Sequence, residues 1–236
     1  MIPHDRPLTI GSLLFEGIDQ IDLTGPFEVL SRLPNATLRL YSPDGAPVRD
    51  VRGLRLAPDG AIAEAPQLDV LHIPGGAGQE ALMRDEAVLG WVRNQATGAK
   101  VVFSVCTGAL ILGAAGLLKG RRATTYWSAV DLLPYFGAIP VDARVVIDGD
   151  WIFAAGVTAG IDGALTLAAR LRGEEAAKAI QLMMQYAPEP PFDSGTPRTA
   201  SPQTVSAVRE AAFDLIARRE ATARAIAQDL GIVTGE

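Results

Sequence analysis

The sequence predicts an α/β fold, a parallel sheet sandwiched by helices, and three observations carry that prediction. Short apolar runs rich in β-branched residues alternate with helix-length stretches over about residues 8 to 186. The runs Leu8 to Phe15 and Lys100 to Val105 are apolar almost throughout, as strands buried on both faces are. Turn-forming groups such as Asp22-Leu-Thr-Gly-Pro26, Pro74-Gly75-Gly76 and Asp148-Gly149-Asp150 stand where one pattern gives way to the next.

Taken in order, Leu8 to Phe15 is the first strand, and a helix opens at Asp22 and runs through Leu33. Leu38 to Tyr41 is a second strand, and residues 47 to 57 read as a strand or hairpin on the sheet edge. Asp69 to Ile73 is a third main strand, closed by Pro74-Gly75-Gly76 and followed by a helix over Glu86 to Thr97. Lys100 to Val105 is a strand and Thr107 to Leu118 a helix. The uncharged stretch Val101 to Leu118 is therefore a buried strand running into a buried helix rather than a membrane span. Ser128 to Phe136 is helical, and residues 145–147 and 151–154 form a hairpin. Thr158 caps an apolar helix to about Leu171, and Glu174 to Tyr186 forms another. Pro188 to Pro197 is a linker, and Ser201-Pro202 begins a helical tail. The chain thus divides into an α/β domain over residues 1–192 and a Pro-rich linker with a helical tail over 193–236. The spacing of Val205, Val208, Ala212, Leu215 and Ile216 fits that tail for docking on the domain or on a dimer partner.

Composition narrows the function. The 236 residues carry a formal net charge of -6 without a long run of one sign. A nucleic-acid partner would want a basic face, so none is expected. One cysteine excludes an intrachain disulfide and Cys-rich metal sites. Nothing at the N-terminus resembles a signal peptide, and a cytoplasmic location is expected.

Chemistry concentrates at Ser104-Val-Cys106-Thr107-Gly108. A buried strand ends, one thiol follows, and a helix of small residues begins at once, which is the setting of a nucleophile elbow. There the helix N-terminus is expected to lower the thiol pKa. The competing reading is a small buried hydrophobe. A base is needed, and the chain has only two histidines: His4 in the N-terminal tail, and His72 inside a strand, where a satisfied core residue is expected. A carboxylate must serve instead. Asp22 follows the first strand, on the same rim as Cys106, and is either a proton carrier or a helix N-cap. Glu16 and Asp19 read as solvated loop charges. Gly75 and Gly76 can present backbone N–H groups to developing negative charge, or can form only a turn.

At these residues the chain resembles the PfpI-like branch of the class I glutamine-amidotransferase-like superfamily. The resemblance rests on D-L-T-G-P-F-E-V-L, D-V-L-H-I-P-G-G, S-V-C-T-G-A-L-I-L-G-A-A-G-L-L, R-A-T-T-Y-W and T-A-G-I-D-G-A-L-T-L-A-A, in that order. Within that branch it looks most like the isocyanide hydratases, through Gln20-Ile21-Asp22, the Cys106-Thr107 pair and Tyr186-Ala-Pro-Glu-Pro-Pro-Phe-Asp-Ser-Gly-Thr-Pro197. The resemblance implies a flavodoxin-like fold, a homodimer, and hydration of an isocyanide to an N-formamide without cofactor or metal. It places the nucleophile on Cys106, the acidic partner on Asp22 and an orienting hydroxyl on Thr107. Tyr126, next to Trp127, replaces a His frequent in the superfamily, which disfavours His-assisted amide hydrolysis. Two other readings stay open: a glyoxalase or deglycase-type thiol enzyme, and a cysteine-based redox or ligand sensor.

Overall fold

The structure, a computed structural model, describes residues 5–233. In chain order its elements are β1 (Leu8–Leu13), α1 (Gln20–Leu30), β2 (Ala36–Ser42), β3 (Val48–Arg49), β4 (Arg55–Leu56), β5 (Gly60–Ala61), β6 (Val70–Ile73), α2 (Gln79–Leu82), α3 (Glu86–Gly98), β7 (Val101–Val105) and α4 (Gly108–Ala114). There follow β8 (Arg122–Ala123), a 3-10 helix (Trp127–Phe136), β9 (Ile139–Pro140), β10 (Val145–Asp148), β11 (Trp151–Ala154), α5 (Ala159–Arg172), α6 (Glu174–Met183), α7 (Pro202–Ala211) and α8 (Phe213–Asp229).

Seven strands form one sheet in the order β10-β11-β7-β6-β1-β2-β5. Every neighbouring pair is parallel except the β10–β11 hairpin. Strands β6, β7 and β11 are buried at every position, which is why their sequences read as unbroken apolar runs. Helices α1, α5 and α6 cover one face, over a core that includes Phe103, Ile152 and Leu167. Helices α2, α3 and α4, the 3-10 helix and α8 cover the other, over Leu110, Phe136 and Phe153. Burying each large apolar side chain completely contributes about 1.5–3 kcal/mol. Arg172 is buried at the end of α5, where its guanidinium donates to the carbonyls of Arg6, Pro34 and Asn35 and ties that helix to the strand ends below it.

Several details differ from expectation. Residues 48–56 form a separate two-stranded ribbon, and Gly60–Ala61 occupies the sheet edge instead. Asp19, not Asp22, caps α1: its side chain accepts from the N–H of Ile21, and Asp22 lies buried in the first turn. Thr158 stands at the N-cap position of α5 but makes no side-chain cap bond: its backbone is already helical, at φ -69° and ψ -17°, and its hydroxyl accepts from Arg144. In the tail, α7 buries no residue, and Val208 is exposed. The burying face belongs to α8, through Arg219, Thr222, Ala223, Ile226 and Ala227; of the expected stripe, Leu215 and Ile216 lie on that helix and are partly buried. Ala223 and Ile226 enter the main core, so this helix docks on its own domain. Among the described residues, no helix is long and apolar enough to cross a membrane. His4 lies outside the described residues.

The strand order fixes the location of the site. The chain leaves β1 for β2 on one side and later returns to β6 on the other. At such a reversal the loops beyond the carboxyl ends diverge and leave a crevice. Asp22, Gly75 and Cys106 follow β1, β6 and β7, three adjacent strands.

Candidate active site

Cys106 stands between β7 and α4 with φ at 55°, a left-handed conformation unusual for a residue with a side chain. Such a conformation costs on the order of 1–3 kcal/mol and persists only where surroundings hold it. Here the N–H of Cys106 donates to Ala154 at 3.0 Å, continuing the β7–β11 ladder. Its carbonyl accepts from the Thr125 hydroxyl at 2.7 Å. Gly108 permits the turn, because a Cβ there would stand 2.1 Å from the carbonyl oxygen of Ile73. The elbow is thus held from three sides and aims its sulfur into the crevice.

Two loops are stitched together across that crevice. The N–H of Asp19 donates to Gly75 at 2.9 Å, and the N–H of Gly78 to Gly17 at 3.0 Å. Asp22 is thereby brought against the loop after β6, and its Oδ2 accepts from the N–H of Gly75 at 3.0 Å. Its Oδ1 has no hydrogen-bond partner of ordinary geometry. The carboxyl group nevertheless lies close enough to the Cys106 thiol for the two to couple. Burial, followed by the negative charge of Asp19, pushes the Asp22 pKa from 3.8 to about 7. Asp19, expected to be a solvated loop charge, is half-buried at the crevice and has its own pKa raised by burial.

The thiol does not behave as the helix-terminus argument predicts. Burial and then the charge of Asp22 push the Cys106 pKa well up, against the N–H of Thr107 and the guanidinium of Arg219, which pull it down. Desolvating an anion outweighs one short helix. Cys106 and Asp22 therefore form a pair that shares protons rather than a preformed thiolate beside an acid.

Thr107 is buried, and its hydroxyl accepts from the N–H of Gly76 at 3.2 Å. Gly75 and Gly76 thus do not offer free N–H groups, since both already donate to Asp22 and Thr107. Their role is to let backbone approach: a Cβ on Gly75 would lie 2.6 Å from the Thr107 nitrogen and 3.0 Å from Asp22 Oδ2. His72 is remote from this chemistry. It is fully buried, bonded to Ser12 at 2.8 Å and stacked on Phe103, and burial lowers its pKa to about 3. It is a neutral core residue, as its place in a strand suggests, but only half satisfied, because its buried Nε2 has no hydrogen-bond partner.

A cavity of about 150 Å³ opens on Cys106, walled by Asp19, Val51, Gly76, Ala77, Tyr126, Val157 and Arg219, among others. Tyr126 and Val157 also border a second cavity of about 660 Å³, which Trp127, Arg144 and Arg209 help to line. Trp127 thus faces the outer chamber, not the thiol, and Arg209 lies over its ring at 5.2 Å. Two residues of the site escaped sequence reasoning. Thr125 lies within R-A-T-T-Y-W, with no signal to set it apart from its neighbours. Arg219 has a fainter signal, a lone charge at helical spacing from Thr222, Ala223 and Ile226.

The DJ-1/PfpI family pattern matches residues 9–170 of this chain. The isonitrile hydratase of Pseudomonas putida is 52% identical over 222 residues, 94% of this chain and 97% of that protein. The crystal structure of a ThiJ/PfpI family protein from Pseudomonas syringae superimposes with a TM-score of 0.91 at 39% identity, covering 94% of this chain and 93% of that one. DJ-1beta from Drosophila melanogaster superimposes with a TM-score of 0.71 at 23% identity, covering 78% of this chain and 100% of the other, a likeness of fold.

Proposed function

This chain belongs to the DJ-1/PfpI family, and we propose that it is an enzyme that hydrates isocyanides to N-formamides, with Cys106 as nucleophile. The observation that carries the proposal is the pairing of a strained thiol on the wall of a small cavity with a fully buried carboxyl group of pKa about 7. A relative 52% identical over nearly the whole chain bears the name of an isonitrile hydratase, and isonitrile and isocyanide are one functional group.

The terminal carbon of an isocyanide accepts a nucleophile and a proton at the same atom. Attack by the Cys106 sulfur forms a C–S bond, and the proton shared by Cys106 and Asp22 goes to that carbon, giving a thioimidate. Water then adds across the C=N bond, its hydroxyl to carbon and its proton to nitrogen. Asp22 relays protons in this step, as a carboxyl group titrating near neutrality is suited to do. The C–S bond breaks, the hydroxyl proton returns to the pair, and the formamide leaves. Every transferred atom comes from substrate or water, so the scheme calls for no cofactor.

Thr107 orients the loop that carries Gly76, and Gly75 holds the Asp22 carboxyl. Tyr126 and Trp127 take the substituent on nitrogen, which extends from the inner cavity past Tyr126 and Val157 into the outer one. The reading includes a homodimer, supported by exposed apolar side chains such as Leu182, Met183 and Phe213. It also includes a reducing, cytoplasmic setting, which keeps a lone nucleophilic thiol available.

A substrate panel tests the proposal: aryl and alkyl isocyanides, methylglyoxal and a peptide. Formamide production from the isocyanides alone supports it. Turnover of methylglyoxal without formamide production would replace it with a carbonyl-directed thiol enzyme. Mass spectrometry of enzyme quenched during turnover should find substrate mass added to the Cys106 peptide.

A further inference from the structure

We propose that Arg219, delivered by the C-terminal helix α8, is a positioning residue of the Cys106 centre, so that the tail completes the active site. The proposal rests on the reading that Cys106 is the nucleophile. Arg219 is 5% exposed, although an arginine on a tail helix ordinarily lies in water. Its Nη2 donates to the carbonyl of Gly76 at 2.6 Å and reaches the Thr107 hydroxyl at 3.4 Å. Its Nε is buried without a hydrogen-bond partner. The ion pairs found among the described residues do not include it. A buried guanidinium without a carboxylate against it is expensive, and it is retained where another negative charge compensates. The wall it forms is shared with Cys106 and Thr107.

The geometry gives Arg219 two effects. It fixes the Gly76 carbonyl, and through Gly76 and Thr107 it braces the loop after β6 against the elbow. It also places positive charge where sulfur becomes anionic, as attack and departure both require. The groups facing Cys106 are Asp22 from α1, the N–H of Thr107, Tyr126 and Arg219. Those felt by Arg219 are Cys106, Glu80, Arg218 and Tyr126. Glu80 is itself engaged by the hydroxyl of Thr222, which anchors the same helix beside α2. The family pattern ends at residue 170, so α8 and Arg219 lie outside the stretch it matches.

The single cysteine makes the test direct, because any thiolate signal is that of Cys106. Alkylation by iodoacetamide is followed against pH in the full-length protein and in Arg219→Gln and Arg219→Lys, with unfolding midpoints measured in parallel. We expect Arg219→Gln to move the thiolate titration to higher pH. Alkylation at neutral pH then falls about tenfold for every whole pH step by which the midpoint rises. Arg219→Lys should restore most of that reactivity, whatever its unfolding midpoint. Identical titrations in all three proteins would overturn the proposal and leave Arg219 as a tether for α8. If Arg219→Gln does not fold, Arg219→Met takes its place: a titration moved to higher pH in a folded Arg219→Met supports the proposal, and one identical to wild type overturns it. Because alkylation needs no isocyanide, failure here is distinct from failure of the hydratase reading, which formamide production reports.

Discussion

The backbone N–H of Gly75 donates to Oδ2 of Asp22 at 3.0 Å, joining residues separated by 53 positions. This bond fixes the carboxyl group that couples to Cys106, and it exists because position 75 has no Cβ. Gly75→Ala should therefore push both Asp22 and Thr107 aside. The expected result is a loss of formamide production of roughly a hundredfold or more, the size of a misplaced general acid. Iodoacetamide should still alkylate Cys106. Wild-type turnover in Gly75→Ala would show that the loop can shift freely.

Cys106→Ala and Cys106→Ser should both abolish formamide production while far-UV circular dichroism stays native. Retention of more than a few per cent of the rate in both would end the covalent scheme. Cys106→Gly should also be inactive, yet more thermostable than Cys106→Ala. Position 106 sits at φ 55°, and glycine adopts that conformation at lower cost, by on the order of 1 kcal/mol.

Asp22 should set the pH dependence of activity. Between its pKa of about 7 and the higher pKa of Cys106, the pair holds one proton, the form that can attack and protonate in one step. The rate constant kcat/KM should rise with pH through about 7 with unit slope. Asp22→Asn keeps the bond from Gly75 but carries no exchangeable acid proton, and it should lose that limb along with about a hundredfold in rate. A pH profile unchanged by Asp22→Asn would assign the limb to another group.

Stability should show two opposing pH effects. Asp22 has a folded pKa of about 7 against 3.8, so between those values the native state holds the extra proton. Its contribution is present at low pH and falls as pH rises to 7. His72 has a folded pKa of about 3 against 6.5, so there the unfolded state holds the extra proton, and stability rises with pH. Across roughly pH 4 to 6.5 the two slopes cancel. Asp22→Asn should expose the His72 slope: urea unfolding at pH 4 and at pH 6.5 should then give clearly different stabilities. It should also leave the variant more stable than wild type at pH 8. Equal stabilities of the variant at pH 4 and 6.5 would mean that His72 is not held neutral.

The tail should dock without binding nucleic acid, since it spends its one buried face on the domain. Duplex DNA binding that weakens steeply with salt would contradict this.

The sequence by itself determined the alternation of strands and helices, because apolar periodicity and turn residues are local properties. Cys106 at a strand-to-helix junction was legible for the same reason, as were the hairpin at 145–154 and the cap at Ser201. The tertiary structure alone decided what those residues face. Asp22 and Asp19 are three positions apart, and nothing local told the cap from the buried acid; the choice follows from the loop after β6, which meets Asp22 and leaves Asp19 at the crevice. The N–H groups of Gly75 and Gly76 looked free in sequence and are occupied in space. The thiol pKa went up rather than down because burial is a property of the assembled domain, not of one helix end. Arg219 is the extreme case: far along the chain from Cys106, it could be placed only once α8 packed across the mouth of the sheet. Local patterns fix which element a residue joins, whereas long-range packing fixes its solvation and partners, and those set its chemistry.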